Sequence, residues 1–304
     1  MSDTMDHELL TIGETMALVS AGKEGGLTMG ASLALSAGGA ESNVAIGAAR
    51  LGVRAAWASR VGNDPLGALV TGSVLGRGVD TSAVTADPLR RTGLMVKEPS
   101  PTGSRVFYYR TDSAASSLSL ADIARFPAAR VVHVSGVTPA LSDSARTMVE
   151  NILNGAMAPA ITSFDVNFRP ALWGCHDVAA SVLLKLARRA DIVFVGRDEA
   201  ESLWGTTTVD SVRRLLPAVS HLIVKDGAIE AVEFHSSATV RIAASAVEVV
   251  EPVGAGDAFA AGWIAGYLRG NDAAVRLQIG HESAAAVLRS PYDTAIPDEE
   301  EAGR

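Results

Sequence analysis

The chain has one cysteine, Cys175, in 304 residues. A lone thiol cannot close an intrachain bridge, so nothing points to an oxidising compartment, and Cys175 reads as an inert structural thiol. A basic excess is missing too. The 26 Lys and Arg face 34 Asp and Glu, a formal charge of −8. That balance argues against a nucleic-acid or anionic-membrane binder, which needs an electropositive footprint; a local basic pocket for a small anion stays open. No stretch of about 20 apolar residues is there to span a bilayer. The opening MSDTMDHELL puts Asp3, Asp6 and Glu8 where a secretory leader carries a basic flank and an apolar core. Internal repeats and low-complexity linkers are absent. What is there is ordinary globular composition, 48% hydrophobic and 20% charged. The expectation is a soluble, cytoplasmic protein with neither nucleic-acid nor membrane partners.

The length allows two domains, or one large α/β domain with an elaboration. LLTIG (Leu9–Gly13) reads as a first strand, and residues 15–36 alternate weakly as short strands. ESNVAIGAARL predicts a helix closed by Gly52, AAWASRVG a strand, and GALVTGSVLGRG a helix closing at Gly78. TGLMVKE and SRVFYYR, separated by PSPTG, form a hairpin pattern. From Arg130 onward the pattern becomes regular. Strands at VVHVSG, AITSFDVN, DIVFVG and HLIVKDG are interleaved with helical stretches at 142–153 and 177–189. AVEFH and TVRIAA follow as a hairpin, and two helices, Ala255–Arg269 and Asp272–Arg289, close the pattern. Strands alternating with helices mean a doubly wound, mostly parallel sheet with right-handed crossovers and helices on both faces. The expected division is an α/β domain of residues 9–14, 37–91 and 111–296, a small accessory sheet of 15–36 and 92–110, and a polar tail at 297–304.

One stretch asks for a chemical explanation. EPVGAGDAFAAGWIAGYL places two glycines and an aspartate at the mouth of an apolar helix. In an open parallel sheet, ligands sit beyond the carboxyl ends of the strands, where helices begin. A helix N-terminus offers unpaired N–H groups and a positive dipole end, which hold phosphate. Glycines at 254 and 256 let the backbone approach such an anion. Asp257 would repel a cradled phosphate, so it suits a base that takes the proton of an attacking hydroxyl, the one side-chain task phosphoryl transfer leaves. A plain capping aspartate is the alternative reading of these four residues.

VGAGDAFAAG resembles the C-terminal signature of the ribokinase-like, PfkB-type sugar kinases, and SAGGAESNVAIGAARLG (Ser36–Gly52), followed by SRVGNDPLG, resembles their N-terminal signature. The resemblance covers nearly the whole chain. It implies a doubly wound α/β domain with a small β-sheet lid, Asp257 as the catalytic base, and Gly254, Ala255 and Gly256 as the anion hole for the γ-phosphate of ATP. It sets Gly38, Gly39 and Asn43 against the sugar; the glycine pair also reads as a turn into a helix, and the two readings are compatible.

Two further motifs bear on the substrate. In FYYR, strand alternation puts Tyr108 and Arg110 on one face. In DVNFRPALW, extended geometry would put Asp165, Asn167 and Arg169 on one face. Two guanidiniums beside a hydroxyl suit an acidic, polyhydroxylated ligand, because a planar fork recognises a carboxylate through paired hydrogen bonds. Both motifs resemble the 2-keto-3-deoxygluconate kinase branch, which implies phosphorylation of the terminal hydroxyl of a keto-deoxy sugar acid. Salt bridges remain the alternative for both arginines.

On the nucleotide side, VKDG follows a strand, so Lys225 and Gly227 are expected to line the ATP site. The resemblance places His281 near the adenine and links Glu199 to Mg²⁺ through water; a solvated helix charge is the alternative for Glu199. The chain departs from its relatives in three places: Glu251-Pro252 where Asp-Thr is common before the GAGD loop, Gly196 in place of an asparagine, and Leu94-Met95 where sugar-acid relatives carry a tyrosine. The first departure bears on a monovalent cation, an open expectation. A dimer through the lid is expected. Two other functions stay open, a kinase of a neutral sugar such as fructose or ribose, and a non-catalytic sugar-binding relative.

Overall fold

The computed structural model describes residues 6–21, 27–100, 103–250 and 252–290. Glu251 and the polar tail at 297–304 lie outside them.

The central strands of the large sheet are short and apolar on both faces, whereas its edge strands are partly exposed. Its strands are β1 (His7–Ile12), β4 (Ala55–Gly62), β5 (Val84–Asp87), β8 (Ala129–Ser135), β9 (Ile161–Asp165), β10 (Ile192–Gly196), β11 (His221–Asp226), β12 (Glu230–His235) and β13 (Ala238–Ala243). They run in the order β13-β12-β11-β10-β9-β8-β1-β4-β5. All neighbours are parallel except at one edge, where β11, β12 and β13 pair antiparallel. Alternate side chains feed two separate cores. Leu10, Val132, Val193 and Leu222 face a core closed by α3 (Asp143–Asn151), α4 (His176–Ala187), α5 (Arg197–Trp204) and α6 (Val209–Leu215). Leu9, Val131, Phe194 and Ile223 face one closed by α1 (Ala40–Arg50), α2 (Pro65–Leu75), α7 (Ala255–Leu268) and α8 (Ala273–Leu288). Burial on both faces explains why these strands read as continuous apolar runs.

The small sheet holds β2 (Met16–Ala21), β3 (Leu33–Gly38), β6 (Leu94–Ser100) and β7 (Gly103–Tyr109) in the order β3-β2-β6-β7. Its outer pairs are antiparallel and its central pair, β2 with β6, is parallel. Met16, Leu18 and Met95, with Val106 packed on them, form its own small core. Met95, which stands near the position where relatives carry a tyrosine, is therefore a core residue of this sheet, with Tyr108 directly opposite it on β7.

The expected doubly wound fold with a separate small sheet is what the chain forms. Differences are local. β3 runs to Gly38, two residues past the expected limit of the small sheet. α2 runs to Leu75, its last turn continues through Gly76, and Gly78, with φ 79°, turns the chain away where the closing glycine is expected. Two elements, β5 and α6, arise where the sequence pattern raises no expectation. α6 is short, capped by the Thr208 side chain accepting from the Ser211 amide, and buries only Val209 and Val212. Among the described residues no helix is long and apolar enough to cross a membrane.

Candidate active site

The chemistry-bearing residues gather at one edge of the large sheet, where β1, β8, β9, β10 and β11 end and α1, α5 and α7 begin. Gly254 sits just before α7 with φ 83°, a left-handed conformation that glycine adopts without penalty, and it turns the chain into the helix. The Ala255 amide donates to the Pro252 carbonyl at 3.4 Å, while Gly256 and Asp257 are first-turn positions, whose amides a helix leaves without an intrahelical acceptor. The motif expects an anion hole at Gly254, Ala255 and Gly256, at this same helix start.

Asp257 is 8% exposed. Its Oδ2 accepts from Asn43 Nδ2 at 2.9 Å and its Oδ1 from Asn167 Nδ2 at 3.3 Å. Two amides, one from α1 and one from the loop after β9, thus orient both oxygens. Burial pushes the carboxyl up to about 7, aided by the nearby Asp165 charge; the Asn43 hydrogen bond, Arg169 and Lys225 oppose the rise. A carboxylate so poised is suited to general-base work near neutral pH.

Lys225, near the end of β11, donates to Asp165 Oδ2 at 2.9 Å. A Cβ on Gly256 would come within 3.4 Å of its Nζ, so the ammonium lies against the GAGD loop. Burial works against that ammonium, but the Asp165, Glu199 and Asp257 carboxylates outweigh it and raise its pKa. Glu199, in the first turn of α5, accepts from the Gly196 amide and from the Phe168 amide, both at 2.8 Å. Burial, followed by the Asp165 charge, raises its pKa. Glu199 is therefore a partly buried bracket between two loops and not a solvated helix charge. Around Lys225, three carboxylates share one lysine. That surplus of negative charge suits a divalent cation, which takes one or two carboxylates and otherwise phosphate oxygens and water. Among the described residues no cluster of three His, Cys, Asp or Glu side chains could cage a metal directly. The donor set thus fits a Mg²⁺ carried on phosphate better than a protein-held ion.

The substrate-side predictions meet two corrections. Asp165, Asn167 and Arg169 do not share a strand face. β9 ends at Asp165, and Asn167 turns the chain with φ 37°, a region asparagine tolerates better than most residues. The turn, not strand alternation, brings Asn167 to Asp257, while Arg169 is exposed. Arg110 lies one residue past β7, and its guanidinium is paired with Glu14 and set 6.0 Å from the Tyr108 ring centroid. The salt bridge left open for Arg110 is therefore present. Gly38 ends β3 and Gly39 precedes α1; a Cβ on Gly39 would lie 2.3 Å from the Glu14 carbonyl oxygen, so glycine is required by packing there.

Gly227 lies in the exposed turn after β11 with φ 53°. His281, on α8, has Nε2 3.1 Å from the Ile242 carbonyl and its ring edge-on to Phe259. Burial lowers its pKa, which favours a neutral ring. Apart from Phe259, two residues after Asp257, no described contact ties His281 to the GAGD loop. Three site residues escape sequence reasoning: Glu14, Glu41 and, as a partner of Lys225, Asp165. Each is an acidic residue at a strand end or helix start within an apolar setting, the one signal that marks them. Glu41 is fully buried and accepts from Ser135 and Thr138; burial, the leading cause, raises its pKa. A cavity of about 230 Å³ between α1 and α8 meets this site only at Asn43 and Ala258.

A family model described as pfkB family carbohydrate kinase matches residues 6–300. A 2-dehydro-3-deoxygluconokinase of Bacillus subtilis (strain 168) is 36% identical over 297 residues, covering 95% of this chain and 92% of the relative. Among solved structures, a PfkB protein from Polaromonas sp. JS666 superposes with a TM-score of 0.86 at 34% identity, covering 94% of this chain and 97% of that one. An uncharacterized sugar kinase from Pyrococcus horikoshii in complex with ATP superposes with a TM-score of 0.82 at 25% identity, covering 96% of each. Matches of that length, to relatives of nearly equal length, show the family: the chain belongs to the pfkB family of carbohydrate kinases, on the ribokinase-like fold.

Proposed function

We propose that the protein transfers the γ-phosphate of ATP to the terminal hydroxyl of 2-keto-3-deoxygluconate, with Asp257 as general base. The observation that carries the reading is the buried Asp257 carboxyl at the start of α7, oriented by Asn43 and Asn167 and raised to about 7. In the step, Asp257 takes the hydroxyl proton, the hydroxyl oxygen bonds to the γ-phosphorus, and the bond to the β-phosphate bridging oxygen breaks, releasing ADP. Gly254, Ala255 and Gly256 are the proposed anion hole for the charge on the transferring group, with the amides at the start of α7 as its donors, and Lys225 stands beside them. Mg²⁺, when bound, neutralises phosphate oxygens, and Glu199 and Asp165 are the residues that would hold its water shell. Gly227 and His281 are the proposed nucleotide contacts. Gly38, Gly39, Asn43, Tyr108, Asn167, Arg110 and Arg169 are the proposed sugar contacts, with the two arginines reading the carboxylate. Activity in potassium against sodium buffer tests the monovalent cation. The reading places the enzyme in the cytoplasm, where ATP is supplied.

The lid is the proposed dimer surface. Leu35, Val19, Val96 and Phe107 stand opposite one another across all four strands, and Leu33, Leu35, Phe107 and Tyr109 are exposed. A sheet face of that kind asks for a cover.

A second reading, a kinase of a neutral sugar, draws on one observation: the Arg110 charge is already paired with Glu14. ADP release from Mg-ATP, measured with 2-keto-3-deoxygluconate, 2-keto-3-deoxygalactonate, fructose, ribose and a nucleoside, separates the two. The expected result is fast turnover with a keto-deoxy acid. Turnover confined to a neutral sugar would keep the Asp257 mechanism and discard the carboxylate argument. Silence with every sugar would leave either a substrate outside the panel or the non-catalytic relative.

A further inference from the structure

Glu14, like Glu41, is a buried acidic residue at this end of the molecule that the mechanism does not use. It lies between β1 and β2, where the chain leaves the large sheet for the lid, and its side chain is 1% exposed. The 110–113 turn and the start of α1 meet on it. Its Oε1 accepts from Ser113 Oγ at 2.5 Å, its Oε2 is in ion-pair contact with Arg110 Nη2, and its own carbonyl oxygen packs against Gly39 at the start of α1. Gly93, at the foot of β6, leaves it room: a Cβ there would lie 2.7 Å from Oε1.

The pairing with Arg110 is incomplete in a telling way. The two charges are close, yet among the described residues Arg110 Nε and Nη2 and Glu14 Oε2 are buried without hydrogen-bond geometry to a partner. Arg110 is 10% exposed at its side chain. A buried guanidinium donor left unbonded costs free energy comparable to a lost hydrogen bond, so it is retained where a ligand satisfies it. Glu14 pairs with the cation, which lies 6.0 Å from the Tyr108 ring centroid, while the Nε–H stays unused. Arg110 sits at the end of a lid strand and Glu14 at the root of the large sheet, so the pair also spans the junction between the two sheets.

We propose that Glu14 is the positioning residue for Arg110, holding its guanidinium in the orientation that receives the carboxylate of an acidic sugar. The proposal rests on the sugar-acid reading above. Glu14 touches no substrate; it acts through Arg110 alone.

The test is a double-mutant cycle on the full-length enzyme, with KM for 2-keto-3-deoxygluconate, KM for ATP and kcat as readouts. Glu14→Gln is expected to raise the sugar-acid KM about tenfold or more, with kcat and the ATP KM within about twofold of wild type. Glu14→Asp should recover part of the loss. In the Arg110→Ala background, Glu14→Gln should add nothing, because its effect passes through the missing guanidinium. Ser113→Ala, a milder change that removes the donor to Oε1, should raise the same KM by a smaller factor and serves if Glu14→Gln does not fold. An equal rise in both backgrounds, a fall in KM, or a fall in kcat with KM unchanged would overturn the positioning role. If Arg110→Ala leaves the sugar-acid KM unchanged, the carboxylate reading fails and takes the proposal with it. If Arg110→Ala raises that KM while Glu14→Gln and Ser113→Ala do not, the proposal alone fails.

Discussion

The proposed base, Asp257, is a side chain that the fold makes expensive to ionise. Replacing it with asparagine keeps the shape and removes the base; turnover is expected to fall roughly 10²–10⁴-fold with the fold intact, as measured by ADP release and circular dichroism. Its pH behaviour has two signs. For catalysis the carboxylate must be charged, so kcat/KM should drop as pH falls through about 7. For folding the native state keeps a proton that the unfolded chain has lost, so this group makes stability decline as pH rises from about 4 toward neutrality. Asp257→Asn removes that slope. Its melting temperature relative to wild type should therefore improve between pH 5 and pH 8 in a thermal scan. A difference independent of pH would mean that Asp257 is not buried in the way described. Asp257 was legible as a candidate base from GAGD alone. Its two amide partners were not assigned to it, because Asn43 is 214 residues away in sequence and Asn167 reaches it through a left-handed turn.

Helix starts do much of the positioning. α2 is an instance outside the reaction centre. Its N-cap Asp64 accepts from the Gly67 amide at 2.8 Å and also from the Thr92 amide and hydroxyl, both at 2.9 Å. One carboxylate thus ties the helix to the segment that enters β6. Burial raises its pKa, but these hydrogen bonds outweigh it and hold the carboxyl below the usual aspartate range. That stabilisation is present above the unfolded-state pKa and is lost as pH falls through the lower folded-state value. Asp64→Ala is expected to cost about 0.5–2 kcal/mol in urea unfolding at neutral pH. A change near zero would mean that the cap and the lid root are uncoupled from stability. The NDPLG sequence announces such a cap, aspartate before proline at the first helical position. That Thr92 shares it could not be read from sequence, since the contact closes across 28 residues. The alternation rule failed at Asp165–Arg169 for a related reason: it holds only while the chain stays extended, and β9 stops first.

At the scale of the whole molecule, the large sheet with helices on both faces is self-sufficient, whereas the lid is not. The large sheet buries two cores, and the lid closes only a few methionines, leucines and valines on its own. The exposed row from Leu35 to Phe107 is expected to be covered by a second copy. Light scattering should then report twice the 31.4 kDa chain mass, and the double substitution Leu35→Glu, Phe107→Glu should return a monomer. A wild-type monomer would reject the lid dimer and leave the exposed row as lid surface.

Hydrophobic periodicity alone determined the architecture, because strands buried on both faces and helices with capped ends leave a pattern that needs no partner to be read. Residue type and spacing likewise marked the GAGD loop and the arginines of FYYR and DVNFRPALW, while the resemblance to the family singled out the paired glycines before α1. Only the tertiary structure decided which charges meet. Lys225 finds Asp165, Glu199 brackets two loops, and Arg110 finds Glu14, each across dozens of residues. Electrostatic partners are chosen by proximity in space and by burial. Neither is written in the local pattern that makes a strand or a helix.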